Sequence, residues 1–434
     1  MFVLTNPEGA RLQSPKVTEA PEQYSLRRHQ TITLLLLFLG GLVNFLDRSS
    51  LSIANTTVRA EMHLNATQMG WLLSAFSFAY GFAQLPLVGL LDRAGTRFVL
   101  GGGLTLWSAA QMLTGFVGGL PTFLFLRVLL GIGEAPFYPA GIRSVREWFS
   151  AATRGRATAV MNSSSTLGVA FAPPLLTWIM LRTGWRAMFI LLGVSGLVVA
   201  ALWITLHRAR HDTPFAEPEP PPTEVPEAAW RALIRQRTVW GMMLGWGGVN
   251  YTVWLYLSWL PAYLESERHL SLAKSGWIAA LPFLAGAFGM LISGVISDRL
   301  ARAGLPLSTI HRRNIILGMT FSAAATFLVA HSQSTTQAVA ATSVALFFIH
   351  IAGTSGWGYV QAVSPLRYVA SLGALQNFFS FMIASAAPVI TGWLLDRTHS
   401  FTIALGLCSA VTLLGALCYA TLAAPSGMHL EPEA

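Results

Sequence analysis

TITLLLLFLGGLVNFLDRSSLSIA, residues 31–54, is an apolar segment that carries an aspartate and an arginine in its second half. About 20 apolar residues in a helix cross the ~30 Å hydrocarbon core of a bilayer. A charged side chain placed there costs about 3 kcal/mol on insertion scales, so such residues are rare and usually line a pathway. The segment therefore predicts a membrane-spanning helix in which Asp47 and Arg48 are functional.

A second apolar segment, FLFLRVLLGIGEAPFYPAGI at 123–142, contains Arg127 and Glu134. Seven residues of helix put these two on one face but about 10 Å apart along the axis, too far for direct contact. We expect Asp47 to pair with Arg127 across neighbouring helices and Arg48 to face a cavity. The alternative is a buried ion network that only fixes packing. Buried ion pairs are seldom a net source of stability, so we favour a functional site.

The composition indicates an all-α, polytopic membrane protein. The chain has 434 residues, of which 53% are hydrophobic and 11% charged, with a mean hydropathy of +0.54. Soluble domains carry about 25% charged residues. The net charge of +9 fits the Lys and Arg that collect in cytoplasmic loops, and no basic patch suggests nucleic-acid binding. Cys408 and Cys418 lie in the last apolar segment, so we expect neither a disulfide framework nor a metal site.

Hydropathy predicts twelve transmembrane helices in two six-helix bundles. The predicted spans are 31–54, 68–91, 97–118, 121–143, 157–181, 186–206, 237–262, 272–297, 313–331, 336–360, 368–395 and 400–423. The bundles are then residues 31–206 and 237–423, with a cytoplasmic tail at 1–30, a Pro- and Glu-rich cytoplasmic linker at 207–236 and a cytoplasmic tail at 424–434. With both termini inside, cytoplasmic segments hold 20 Lys and Arg and outside loops hold 6, as the positive-inside rule requires.

The two halves repeat one another weakly. Asp92-Arg93 and Asp298-Arg299 are 206 positions apart, and so are Asn44 and Asn250. Two matches with one offset favour a duplicated six-helix unit. Repeated halves that rock around a central site are typical of transporters.

The segment GLLDRAGTRFVL at 89–100 resembles the major facilitator signature between spans two and three, and GVISDRL at 294–300 resembles its second copy. An aspartate there can cap backbone N–H groups while arginines hold helix ends together. We therefore assign a gating role to Asp92, Arg93, Arg97, Asp298 and Arg299. The alternative role is simple anchoring at the membrane interface.

Over nearly its full length the chain is similar to the anion:cation symporter family of that superfamily. The resemblance rests on NFLDRSSLSIA (44–54), RVLLGIGEAPFYPAG (127–141) and YLSWLPAYL (256–264). Bacterial sugar-acid carriers and animal vesicular glutamate and sialic acid carriers share these motifs. The resemblance implies proton sites at Asp47 and Glu134, and substrate contacts at Arg48, Tyr80, Arg127, Thr354, Trp357 and Asn377.

These roles suggest a coupling scheme. Burial favours a neutral carboxyl, whereas a nearby guanidinium favours the carboxylate. When an anionic substrate occupies the arginine, the carboxyl loses its partner and binds a proton, and the converse holds by reciprocity. Arg48 suits the substrate anchor because its planar fork grips a carboxylate with two hydrogen bonds.

Several positions depart from the sugar-acid carriers. Phe45 stands where a tyrosine often precedes the Asp-Arg pair, and Ser165 where a glutamine can stand. Both changes favour a smaller or less hydroxylated acid. Span seven has no arginine like that of the vesicular glutamate carriers, which argues against a dicarboxylate. We interpret Trp254 and Trp259 as anchors at the membrane interface.

We therefore expect a proton-coupled importer of an organic monocarboxylate, such as a sugar acid, that works by alternating access. The alternatives are an uncoupled or anion-exchanging carrier and a transporter-like receptor. We expect no enzyme activity, because no nucleophile–base or metal constellation is present in the sequence, and no cofactor. The expected partners are the organic anion, protons and the lipid bilayer. We expect a monomer in a bacterial inner membrane.

Overall fold

The computed structural model describes residues 21–84, 86–208, 233–365 and 368–424, and all structural statements concern these residues. They form thirteen helices: α1 Pro21–Ile53, α2 Asn55–Glu61, α3 Ala66–Ala83, α4 Leu87–Thr114, α5 Leu120–Glu134, α6 Phe137–Trp148, α7 Ala151–Leu206, α8 Arg237–Ser266, α9 Leu272–Arg302, α10 Leu307–Ala330, α11 Thr335–Val363, α12 Val369–Thr398 and α13 Thr402–Thr421. The predicted linker and both predicted tails lie largely outside the described residues.

The helices make twelve membrane crossings within the described part of the chain. Helix α7 has 56 residues, about 84 Å at 1.5 Å per residue, which is too long for one crossing. It turns at Gly184, whose φ of 81° suits glycine, and so provides spans five and six. Helices α5 and α6 together form span four. Span two is α3 and the start of α4, which turns into span three at Gly95 with φ 71°. The prediction of an all-α, twelve-span fold is confirmed.

The first helix begins earlier than predicted. Hydropathy places residues 21–30 in a polar tail, but they continue α1. Their contacts explain this extension: the ring of His29 stacks on Trp148 at 5.2 Å, and the Gln30 side chain donates to the Trp148 carbonyl at 2.7 Å. The end of α6 thus holds the first turns of α1 in helical form.

The duplication extends beyond the two matches at Asp92-Arg93 and Asn44. EMHLNATQMG at 61–70 repeats as ERHLSLAKSG at 267–276, again 206 positions later. His63 and His269 both have φ 53°. Asn65 and Ser271 then cap α3 and α9, accepting hydrogen bonds from the third backbone N–H of each helix. The same turn therefore opens the second span of each half.

In the described part of the chain the two bundles meet mainly along four helix pairs: α1 with α8, α2 with α8, α3 with α12 and α7 with α9. We call the end near residues 54–66 and 266–272 the outer end, after the side that the charge distribution predicts. There α3 and α12 cross without side chains between them. A Cβ atom at Gly70 would lie 2.5 Å from the Pro388 carbonyl, and one at Gly392 would lie 2.2 Å from the Ala66 carbonyl.

Carboxylates of the C-terminal bundle also hold the outer end together. Asp396 accepts hydrogen bonds from the backbone N–H groups of Ala66 and Thr67, both at 2.8 Å, and from the Thr67 hydroxyl at 2.6 Å. These N–H groups are unsatisfied donors of the first turn of α3. Glu265 accepts from the hydroxyl of Thr56 in the other bundle. The outer end is closed by packing and by hydrogen bonds.

We expect Gly392→Leu to open the outer end, because its side chain has no room at the crossing of α3 and α12. Overpacking of this kind costs about 1–3 kcal/mol, which corresponds to roughly a tenfold shift in the balance of states. A cysteine at buried Ser74, on the same face of α3 as Gly70, reports the change. With both native cysteines replaced by serine, an impermeant maleimide should label it about tenfold faster in the variant.

Gly406→Leu is the matched control, because a Cβ atom at Gly406 would meet no other atom. It should leave the labelling rate at the parent value. Equal labelling rates in the Gly392→Leu variant and its parent would show that the close crossing does not hold the outer end shut.

Candidate functional site

The four charged side chains of the first two motifs lie together inside the N-terminal bundle. Asp47 and Arg48 are on α1, and Arg127 and Glu134 are on α5. Arg48 is 8% exposed, Arg127 is 2% exposed and both carboxylates are fully buried. Desolvation makes such a cluster expensive unless its charges are compensated.

The charges pair differently from the predicted arrangement. Arg48 Nε donates to Glu134 Oε2 at 2.7 Å, an ion pair between α1 and α5. Arg127 Nε donates to the backbone carbonyl of Leu72 on α3 at 3.2 Å. The expected direct pair between Asp47 and Arg127 is therefore absent among the described residues. Arg127 is directed towards α3. Arg48, which was expected to face a cavity, is the arginine that binds a carboxylate.

Several polar atoms of this cluster have no hydrogen-bond partner in the described part of the chain. They are both carboxylate oxygens of Asp47, Oε1 of Glu134, Nη2 of Arg48 and Nη1 of Arg127. Buried polar atoms are normally satisfied, and leaving one unmet costs about 1–3 kcal/mol, more for a charged group. This cluster thus retains acceptors for protons and donors for an anion.

Aromatic rings surround the Arg48 guanidinium. Its central carbon lies 4.8 Å from the ring centre of Tyr80, 5.1 Å from that of Phe45 and 5.2 Å from that of Phe76. Phe76 also lies 5.3 Å from the guanidinium of Arg127. Cation–π contacts of this kind stabilise a cation while leaving its N–H groups free to donate.

Phe76 is a site residue that the sequence reasoning missed. The available signal was its spacing: it precedes Tyr80 by one helical turn on α3, so both rings share a face. Phe45, which the sequence analysis linked to a less hydroxylated substrate, contributes a ring to the surroundings of Arg48. A phenylalanine at position 45 can make this cation–π contact as a tyrosine would, because both side chains have a six-membered aromatic ring.

The aromatic layer continues into the C-terminal bundle. Tyr80 packs on Phe381 at 5.0 Å between ring centres, and Phe76 packs on Trp254 at 5.9 Å. Trp254 is 7% exposed and Trp259 is 1% exposed, with its N–H donating to the Pro388 carbonyl. The interpretation of these two tryptophans as membrane-interface anchors is wrong, because both are buried inside the protein.

Two predicted contacts of the C-terminal half border open space. The side chain of Trp357 is 45% exposed and packs edge-on against Trp246 at 6.0 Å. Thr354 is half-buried, with its hydroxyl bonded to the His350 carbonyl of its own helix at 3.0 Å. A Cβ atom at the neighbouring Gly353 would meet nothing. The third predicted contact, Asn377, donates across the bundles to Gln84 Oε1 at 3.0 Å.

The predicted gating residues of the first half bond within the N-terminal bundle. Asp92 accepts a hydrogen bond from Arg143 of α6 at 2.6 Å. Arg97 donates to the Ile204 carbonyl near the end of α7 at 2.9 and 2.6 Å. These bonds tie the ends of spans two, three, four and six together at the inner end. The neighbouring Arg93 is exposed, as are Asp298 and Arg299 near the end of α9. The gating role of these residues stays a prediction.

A family model of the major facilitator superfamily matches residues 37–388. The chain belongs to this superfamily. Its motifs at the inner end and its paired bundles are consistent with that assignment, and the protein is a membrane transporter. Membership of the anion:cation symporter subfamily is consistent with the curated relatives of the chain, which are named as transporters of sugar acids.

Two of these relatives are from Escherichia coli strain K12. The chain is 46% identical over 404 residues to a "Probable L-galactonate transporter", covering 91% of this chain and 89% of that protein. It is 32% identical over 415 residues to a "Probable galactarate/D-glucarate transporter", covering 89% and 93%.

Solved structures share the fold. A bacterial homolog of the human lysosomal transporter Spinster, in an inward-facing and unoccupied conformation, aligns with a TM-score of 0.75 at 17% identity, covering 92% of this chain and 96% of that one. A D-xylose–proton symporter aligns with a TM-score of 0.72 at 15% identity, covering 92% and 99%.

Proposed function

We propose that this transporter takes up a monocarboxylate sugar acid together with protons by alternating access. The observation that carries the proposal is the buried Arg48–Glu134 ion pair, beside an Asp47 carboxylate without a hydrogen-bond partner among the described residues. The Arg48 guanidinium already binds the Glu134 carboxylate, so an entering anion competes with Glu134 for Arg48. Once displaced from Arg48, the Glu134 carboxylate binds a proton more readily, because it has lost the positive charge that favoured its ionised form.

Each charged residue then has a distinct role. Arg48 anchors the substrate carboxylate, and Glu134 takes a proton when the anion displaces it. Asp47 is the second proton site. Arg127 provides a nearby positive charge that favours the ionised form of Asp47, so a change in the charges of the cluster changes the proton affinity of Asp47. Anion and proton binding favour one another, because each relieves the unpaired charge that the other would create.

We propose a six-carbon monocarboxylate such as galactonate as the first substrate to test. The relative at 46% identity is named for L-galactonate. The hydroxyl and amide groups at Thr354 and Asn377 suit sugar hydroxyls, and Trp357 offers a flat surface to the carbon skeleton. Phe45 and Ser165 favour smaller or less hydroxylated acids, so these belong in the same panel. Arg48 is the one guanidinium proposed as a carboxylate anchor, which disfavours galactarate and other dicarboxylates.

We further propose that the structure corresponds to an inward-facing state of a monomer in a bacterial inner membrane. Closure of the outer end by Asp396, Glu265 and the Gly70 and Gly392 crossing supports this assignment. The exposure of Trp357 is consistent with a cavity that opens on the other side.

Reconstitution in proteoliposomes tests the proposal. With an interior one pH unit more alkaline than the exterior, radiolabelled galactonate should accumulate up to about tenfold for one proton per anion. A protonophore should abolish accumulation yet leave counterflow intact. Accumulation that ignores the protonophore and requires an internal anion would instead indicate exchange. The absence of uptake and of counterflow across the sugar-acid panel would overturn the proposal.

A further inference from the structure

The amide of Asn377 makes a hydrogen bond between the two bundles on the inner side of the aromatic layer. Its Nδ2 donates to Oε1 of Gln84 at 3.0 Å, joining α12 to the end of α3. Gln84 is the residue at which α3 ends, shortly before α4 begins at Leu87. A side chain at a helix break can change its position without displacing the whole span.

The surrounding contacts bring these two amides together. One turn above them Tyr80 packs on Phe381, and beside them Phe82 packs edge-on against Phe378 at 5.7 Å. A Cβ atom at Gly81 would lie 2.7 Å from the terminal carbon of Met382. We call residues 80–84 of α3 and 377–382 of α12 the inner neck.

Hydrogen bonds also connect the backbone of Asn377 to α8 in the C-terminal bundle. The Asn377 backbone carbonyl accepts a hydrogen bond from the Ser380 hydroxyl at 2.8 Å, and that hydroxyl accepts one from Asn250 Nδ2 of α8 at 3.0 Å. The backbone of this turn is thereby fixed within the C-terminal bundle, whereas the Asn377 amide bonds to Gln84 of the other bundle. An asparagine amide has two N–H donors and one acceptor oxygen. The donor used by Gln84 is not available to a substrate hydroxyl.

We propose that Gln84 is a positioning residue that competes with the substrate for the side chain of Asn377. Without substrate, Gln84 holds the Asn377 amide and pins the inner neck. When a polyhydroxylated anion binds, Asn377 turns to a substrate hydroxyl and the neck is released. A hydrogen bond from Asn377 to the substrate and the Gln84–Asn377 hydrogen bond then exclude one another. This inference rests on the proposed function, because it takes Asn377 as a contact of a hydroxylated substrate.

Calorimetric binding of galactonate to purified protein in nanodiscs tests the competition. Gln84→Leu removes the acceptor, and the Kd should fall by about fivefold, the ratio that matches the net free energy of one neutral hydrogen bond. Gln84→Glu keeps an acceptor at the same distance, so its Kd should equal or exceed that of the parent. The KM and the maximal rate of Gln84→Leu should fall together, because the bound state is stabilised but substrate release is not.

A double-mutant cycle supplies the decisive control. In an Asn377→Ala background, Gln84→Leu should leave the Kd unchanged. A higher Kd for Gln84→Leu alone would make Gln84 a direct substrate contact, and an effect that persists without Asn377 would place its action elsewhere. An unchanged Kd for Gln84→Leu would show that the hydrogen bond has no influence on binding. Each of these three results overturns the proposal.

A measurement without substrate separates this inference from the proposed function. Spin labels at exposed Gly89 and Ala374 report the separation of α4 and α12 near the inner neck. Gln84→Leu should broaden the distance distribution towards longer separations. If the parent protein binds no sugar acid but the distribution broadens, the proposed substrate is wrong and the neck bond still stands. If the distribution is unchanged, the bond does not pin the neck.

Discussion

Arg48→Lys is expected to abolish galactonate binding and counterflow while the protein remains folded. Lysine keeps the positive charge beside Glu134, but it cannot present the planar fork that grips a carboxylate with two hydrogen bonds. It also loses the flat contacts with the rings of Phe45, Phe76 and Tyr80. Losing a buried, hydrogen-bonded charge contact to a bound partner costs about 2–5 kcal/mol of binding free energy, so the Kd should rise by about 100-fold.

The matched control is Arg312→Lys. Arg312 also donates through its guanidinium, to the Tyr419 and Ala420 carbonyls at the end of α13, but it lies outside the charged cluster. Its replacement should leave the Kd within about twofold of the parent value, since it changes only surface hydrogen bonds. Size-exclusion profiles establish that both variants are folded. Galactonate binding by Arg48→Lys with the parent Kd would remove Arg48 from the role of anchor.

The sequence predicts the presence of this cluster but not its pairing. A charge in an apolar segment is visible in the sequence, because both the hydrophobic run and the charged residue within it can be recognised without knowing the fold. The partner of each charge depends on the rotation of three helices about their axes. Arg127 donates to the carbonyl of Leu72, a backbone group that no sequence motif marks. A spacing of seven residues on α5 fixes only which face Arg127 and Glu134 share.

The number of spans follows from hydropathy, and so does the place of the breaks. The turn at Gly184 lies between the predicted spans 157–181 and 186–206. The interpretation of the tryptophans failed because hydropathy does not fix where a helix ends. Trp254 lies near the predicted end of a span, which is typical of interfacial anchors, but α8 extends to Ser266 and places this ring against Phe76.

The duplicated segments at 61–70 and 267–276 were available in the sequence. Their identities are scattered, and the shared glycines Gly70 and Gly276 gain meaning only from three-dimensional contacts. Gly70 meets the backbone of Pro388, and a Cβ atom at Gly276 would lie 2.1 Å from the Thr177 hydroxyl. Both glycines allow close approach of the opposite bundle at the outer end. A pattern of small residues predicts close packing but not which helix supplies the partner.

Asp47→Asn is expected to separate proton-driven accumulation from transport itself. Asp47 makes no hydrogen bond to another side chain in the described part of the chain, whereas Glu134 bonds directly to Arg48. An uncharged amide at position 47 therefore leaves the anion anchor in place but cannot take up or release a proton. Across a gradient of one pH unit, the accumulation ratio should fall by up to about tenfold, which is the contribution of one proton. Counterflow should continue at a rate within a few-fold of the parent.

Glu134→Gln is the comparison that gives this result its meaning. It removes the carboxylate that holds Arg48, so both accumulation and the substrate Kd should change, and the Kd should depend less steeply on external pH because only Asp47 remains as a proton site. Because Arg48 then lacks its competitor, the anion should bind more tightly and leave more slowly. Normal accumulation by Asp47→Asn would contradict its assignment as a proton site. Equal behaviour of the two variants would show that the carboxyls act as one coupled pair and not as two sites with separate roles.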